Sequence, residues 1–163
     1  MKKIKFLITL TLIVILVVVW NEYQKINMNI FSRAESVIGT SEFSRDGDVK
    51  YSEDKSYKIK SDVYNDAMIF TTVDVEPNKI YRVTCMVKTN NVTPQTENCG
   101  AGVNICIANT TEQSKAIIGT EDWQMLEFKF NSKNRKSVPI GFRLGGNNSD
   151  CTGEVWFSDF KIV

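Results

Sequence analysis

Histidine is absent from the chain, and proline occurs only 3 times. Without histidine there is no Ser-His-Asp or Cys-His nucleophile, no imidazole general base and no His-ligated metal site. The phosphate-cradling patterns GxxxxGK[S/T] and GxGxxG are missing, as are the GxSxG elbow and any CxxC pair. An excess of one charge is missing too: 20 Lys and Arg stand against 19 Asp and Glu. Setting aside residues 1–30, which hold Lys2, Lys3, Lys5, Lys25 and Glu22, leaves 16 basic and 18 acidic residues. That near-neutral remainder argues against a nucleic-acid binder, which carries a basic face. The composition also argues against a self-contained enzyme; carboxylate chemistry is what it leaves open.

One long hydrophobic run is present. Met-Lys-Lys-Ile-Lys opens the chain, and residues 6–20, ending in Trp20, are apolar apart from Thr9 and Thr11. As a helix this run measures about 22 Å, against a hydrocarbon core of about 30 Å. Ile4, a snorkelling Lys5, and Trp20 and Tyr23 at the opposite interface make up the difference. A cleavable signal peptide needs small residues directly after its apolar run. Here Asn21-Glu22-Tyr23-Gln24 follows, and no cysteine precedes Cys85 to take a lipid. Residues 1–20 are therefore read as an uncleaved signal anchor with its lysines inside, and residues 21–30 as a stalk. Residues 31–163 form one extracellular domain on a single-pass membrane protein, or a secreted one if the segment is cleaved.

Past residue 30 no helical period emerges. Short runs rich in Val, Ile, Thr, Tyr and Phe alternate with turn clusters such as Pro77-Asn78 and Asn90-Asn91. Strands are expected at residues 57–60, 67–75, 80–89, 101–108, 123–131, 138–144 and 153–163. Weaker ones are expected at 30–32, 49–52 and 116–119. Ten short strands predict an all-β sandwich or barrel. Alternation assigns faces. Val83, Cys85 and Val87 oppose Thr84 and Met86. Val103, Ile105 and Ile107 oppose Asn104 and Cys106. Ile140, Phe142 and Leu144 oppose Gly141 and Arg143. Ile69, Thr71 and Val73 oppose Met68 and Phe70.

Four segments resemble jelly-roll carbohydrate-binding modules. Val75-Glu76-Pro77-Asn78-Lys79-Ile80-Tyr81, followed by Val87-Lys88-Thr89-Asn90-Asn91-Val92, is similar to their hairpin. Gly119-Thr120-Glu121-Asp122-Trp123 is similar to their entry to a long strand, and Ser56-Tyr57-Lys58-Ile59 to an earlier one. Gly153-Glu154-Val155-Trp156-Phe157-Ser158-Asp159 is similar to their closing strand. The nearest groups are the cenC-like modules of families 4 and 9, with family 22 close by. The resemblance implies a jelly-roll β-sandwich behind the N-terminal transmembrane anchor helix, with a glycan held across a concave sheet and no catalysis. It requires no cofactor but allows a structural calcium, with Glu35 and Asp159 as ligands by analogy. The expected partners are a glycan and, through the N-terminal helix, a membrane. No nucleic acid is expected, and the module is expected to be a monomer.

Sugar binding needs flat apolar surface and planar hydrogen-bonding partners. The outward residues Phe70, Met86, Asn104 and Arg143 supply both and are the candidate glycan contacts. Trp123 and Trp156 match structural positions, and Tyr64 and the Phe43/Tyr51 region are read as loop residues that could rim a cleft or simply pack their loops. Two rival readings remain: a cell-envelope docking protein on the same fold, and the binding fragment of a glycoside hydrolase. Four cysteines suit an exported domain. If the long strands simply alternate in direction, Cys106 and Cys151 share one end and Cys99 lies at the other. A bridge needs Cα atoms within about 7 Å, so Cys106–Cys151 is the expected disulfide. A further strand at 116–119 would reverse the later directions.

Overall fold

The computed structural model describes residues 31–52, 55–97, 99–146 and 149–163. The anchor expected at 1–20 and the stalk expected at 21–30 lie outside the described residues. No helix among the described residues is long and apolar enough to cross a membrane.

Among the described residues, nine strands form two antiparallel sheets. They are β1 (Ser32–Glu35), β2 (Ser41–Asp46), β3 (Ser56–Asn65), β4 (Ala67–Asp74), β5 (Ile80–Pro94), β6 (Gly102–Ile107), β7 (Gly119–Asn131), β8 (Ser137–Gly145) and β9 (Cys151–Ile162). One sheet has the order β1-β4-β8-β6, the other β2-β3-β9-β5-β7. The result is the jelly-roll type of sandwich. Residues 49–52 form bends rather than the expected strand, whereas Ser41–Asp46 is a strand with no strong sequence signal. Its only apolar residue is Phe43, because an edge strand needs to bury just one side chain here.

The alternation in the sequence builds the core. Ile69, Val103, Ile105, Ile107, Ile140, Phe142 and Leu144 face inward from the four-stranded sheet. Ile59, Val83, Cys85, Val87, Leu126, Phe128, Val155 and Phe157 meet them from the five-stranded sheet. The Phe142 ring stands edge-on against Phe160, centroids 4.3 Å apart, an arrangement that suits the ring quadrupoles. Two glycines allow close approaches. At Gly153 φ is +119°, and a Cβ would sit 2.8 Å from the Asn91 carbonyl of β5. At Gly145 φ is +137°, and a Cβ would meet Asp66 at 2.6 Å.

The chain does not simply alternate after β6. Residues 112–117 run back along β6: Ser114 N donates to Ile105 O at 2.8 Å, and Val103 N to Ile117 O at 2.8 Å. That return reverses every later strand, so the loop before β9 ends up beside the loop after β5, with Gln95 N bonded to Asp150 O at 2.8 Å. The expected Cys106–Cys151 bridge is therefore absent, and all four cysteines are free. Cys106 lies on the outer face of the four-stranded sheet, where a Cβ on Gly141 would meet its Sγ at 2.9 Å. Cys151 faces the core from the other sheet, so the four-stranded sheet separates the two thiols.

Candidate functional site

The four residues expected to bind sugar do not converge. Phe70, Asn104 and Arg143 project from the outer face of the four-stranded sheet, as alternation predicts. Met86 projects from the opposite side of the molecule, paired with Met125 and Ser158 in the five-stranded sheet. Outward did not mean exposed. Asn104 is 0% accessible, and its Nδ2 donates to the Gly102 and Gly145 carbonyls. Arg143 is 6% accessible and holds Asp66 through both Nε and Nη2. Burial works against the guanidinium charge, but the Asp66 bonds and charge outweigh it and hold the Arg143 pKa above its ordinary value. These two side chains fasten the end of the sheet. Phe70 stays half-buried on the same face, opposite Ser32 and Gly141.

Glu35 and Asp159 do not make one calcium site. Glu35 lies beside the end of β3 that Asn65 occupies: Asn65 Nδ2 reaches Glu35 Oε2 at 3.2 Å. Asp159 lies beyond Phe157, which pairs with Tyr57 at the other end of β3. The strand between them is roughly 25 Å long. Glu35 Oε1 accepts from Gly39 N at 2.5 Å and Oε2 from Ser41 N at 3.0 Å. The Gly39 N–H in particular holds its pKa below 4.5 despite the opposing effect of burial. Asp159 accepts from Ser52 Oγ at 2.7 Å. No group of three or more His, Cys, Asp or Glu among the described residues is placed to hold a metal.

The outer face of the five-stranded sheet carries a denser set of sugar-suited groups. Register places them in rows across the strands. Ser44, Lys58, Trp156 and Lys88 stand opposite one another in turn. Glu42, Lys60, Glu154 and Asn90 form the next row. Beyond Lys88, on edge strand β7, lie Asp122 and Trp123; Lys88 Nζ meets Asp122 Oδ1 at 2.6 Å. Lys58 Nζ lies 4.9 Å from the centre of the Trp156 ring and 3.5 Å from Glu154 Oε2. Asn90 Nδ2 reaches the same Glu154 oxygen at 3.5 Å.

The segment after β2 crosses this face. It starts at Asp46, whose Oδ1 accepts from the backbone N–H of Asp48 and Val49, both at 2.9 Å. Its Oδ2 accepts from the Trp156 indole at 2.8 Å. The Val49 N–H foremost, with the indole next, holds the Asp46 pKa below 3.8. The segment ends on β7, where Tyr51 packs on Trp123 with ring centroids 5.7 Å apart and planes tilted by 54°. Trp156 is thereby covered, at 6% accessible, whereas Tyr51 stays 50% exposed. Trp156 is structural, as the sequence suggests. Trp123 forms one side of a half-open aromatic pair on the same face as Lys88, Asp122, Asn90 and Glu154. Alternation along β3, β5 and β9 marks the polar rows as outward, but nothing in the sequence places Tyr51 against Trp123.

No protein-family model matches the sequence, and no curated protein matches it. Solved structures do. The enzymatically active domain of tailspike protein 4 from bacteriophage CBA120 superposes with a TM-score of 0.60 at 11% identity, covering 83% of this chain and 19% of that one. This chain thus spans about a fifth of the tailspike chain. The carbohydrate-binding module TmCBM61, solved with β-1,4-galactotriose, superposes with a TM-score of 0.53 at 12% identity, covering 82% of this chain and 87% of that one. The C-terminal family 22 module of Clostridium thermocellum Xyn10B gives 0.52 at 12% identity, covering 84% and 86%. At such identities the likeness establishes the fold: an all-β sandwich of the kind carbohydrate-binding modules use.

Proposed function

We propose that this protein is a non-catalytic glycan-binding module that holds a neutral oligo- or polysaccharide on the outer face of its five-stranded sheet. The observation that carries the reading is the Tyr51–Trp123 pair standing beside polar side chains in register. Aromatic surface takes the apolar C–H face of a pyranose, while carboxylate, amide and ammonium groups take its hydroxyls. Trp123 and Tyr51 supply the first. Glu154, Asn90, Lys58, Lys88 and Asp122 supply the second. On the opposite face, the Asn104 and Arg143 expected to join Phe70 are buried. That TmCBM61 was solved with a galactotriose fits the same use of the fold. No cofactor is needed for such binding. The apolar run at 6–20 would tether the module to a membrane with the sandwich outside.

The full chain applied to an array of neutral plant, microbial and animal glycans tests the function. Retention of one glycan class by the folded protein is expected. No retention of any glycan, with the β-sheet signal in circular dichroism intact, would favour the protein-docking use of the fold instead.

A further inference from the structure

A cleft of about 230 Å³ opens where the edge strands β1 and β2 of the two sheets face each other. Among the described residues it is lined by Phe31, Arg33, Phe43, Arg45, Tyr57 and Lys58, with Ser44 and Ile69, and none of these is a carboxylate; the Lys58 ammonium is paired with Glu154. The Arg33 guanidinium lies over the Phe43 ring, 5.4 Å from its centre, and that of Arg45 lies over Tyr57 at 4.3 Å. Among the described residues neither arginine forms an ion pair. Of the acids on the same strands, Glu35 is engaged by Gly39 and Ser41 and Asp46 by Val49 and Trp156, while Glu42 stands opposite Lys60 on the outer face of the five-stranded sheet.

A guanidinium resting on an aromatic face keeps its N–H edge free and already oriented, which suits a planar carboxylate bound through two parallel hydrogen bonds. Two such groups in one cleft, with no acid among its described lining residues, make a receptor suited to an anion. The cleft is smaller than the roughly 300–1,000 Å³ of drug-sized pockets, so it admits one terminal sugar unit rather than the length of a chain.

We propose that this cleft is a second binding site, separate from the five-stranded face, for the carboxylate of an acidic sugar. That the carboxylate belongs to a sugar rests on the glycan-binding reading; that a carboxylate is bound rests on the cleft alone. The site would let the module select or orient glycans bearing uronic acid residues.

The test is calorimetry of the full chain with three probes: a galacturonate oligomer, the neutral galactose oligomer of equal length, and inorganic phosphate. The galacturonate oligomer is expected to bind, more weakly as salt is raised. Arg45→Gln and Arg33→Gln, both at exposed positions, are each expected to weaken it at least about tenfold with unchanged melting temperature. Arg45→Lys should fall between wild type and Arg45→Gln, since it keeps the charge and loses the fork. Trp123→Ala should leave galacturonate binding through this cleft intact, which separates this site from the neutral-glycan site. Galacturonate binding indifferent to both arginine substitutions would overturn the proposal, as would its absence. Binding of phosphate with none of galacturonate would show a tetrahedral-anion site and overturn the carboxylate assignment.

Discussion

The Arg143 side chain shows how far strand parity reaches. Parity turns it away from the core, and that is where it lies; burial by the surrounding loops and its bonds to Asp66 are invisible to a period of two. Removing one member of a buried ion pair strands the other in a poorly solvated place. Arg143→Ala is therefore expected to lower stability by about 2–3 kcal/mol, below the full cost of a buried pair because Asp66 is partly exposed. Asp66→Asn should cost a similar amount, and urea unfolding reads both. An unchanged midpoint in both variants would mean the pair contributes nothing. The thiols give a second residue-scale test. Burial raises the Cys106 pKa to about 11, with Arg143 pulling it part-way back, and the Cys151 pKa to about 12. Burial also pushes Cys85 upward. Only the thiolate reacts, so maleimide at neutral pH should label the half-buried Cys99 first. The other three should label only on unfolding. Early labelling of Cys85 would contradict its place in the core.

At the scale of strands, the central elements were legible in the sequence and the edges were not. The runs around Val83, Ile105 and Ile140 alternate clearly because one face of each is buried in a single core. Strand β2 offers only Phe43, and the return of residues 112–117 along β6 shows in the sequence only as the weak run at 116–119. Missing that return inverted the predicted direction of three later strands and misplaced Cys151. The glycine at the β5–β9 crossing tests the packing: Gly153→Ala brings a Cβ against the Asn91 carbonyl at a positive φ. It should cost at least about 2 kcal/mol, and an unchanged melting temperature would show the strands are less closely packed. The two carboxylates that fasten turns at β1 and β2 set the acid response. Glu35 and Asp46 have pKa values lowered from 4.5 and 3.8 by the N–H groups they accept from. Each holds its proton more weakly folded than unfolded. Their stabilisation is present above those ordinary values and is lost as pH falls through the lower folded ones. Melting temperature should drop across that window, and the Glu35→Gln/Asp46→Asn double variant should show a shallower drop. An equally steep drop in the variant would place the acid sensitivity elsewhere.

For the whole molecule, the fold was readable before the site. Four short resemblances in order and a single alternating core were enough to expect the sandwich. The site depends on a segment that leaves β2 at Asp46, crosses the five-stranded sheet and brings Tyr51 to Trp123, a contact between residues far apart in sequence with no local pattern. Parity turns Phe70 and Met86 outward, but a sandwich has two outward faces, and parity within each strand does not say which sheet that strand joins. The two faces make opposite claims about where a glycan lies. Titration calorimetry with the glycan selected on the array compares them directly, using Trp123→Ala and Phe70→Ala in the full chain. Loss of one aromatic platform is worth about 1–2 kcal/mol, or roughly tenfold in affinity. Trp123→Ala is predicted to weaken binding by about that factor while Phe70→Ala binds like wild type, both variants keeping their melting temperature. Wild-type affinity in Trp123→Ala together with lost binding in Phe70→Ala would place the glycan on the four-stranded sheet and contradict the site assigned here.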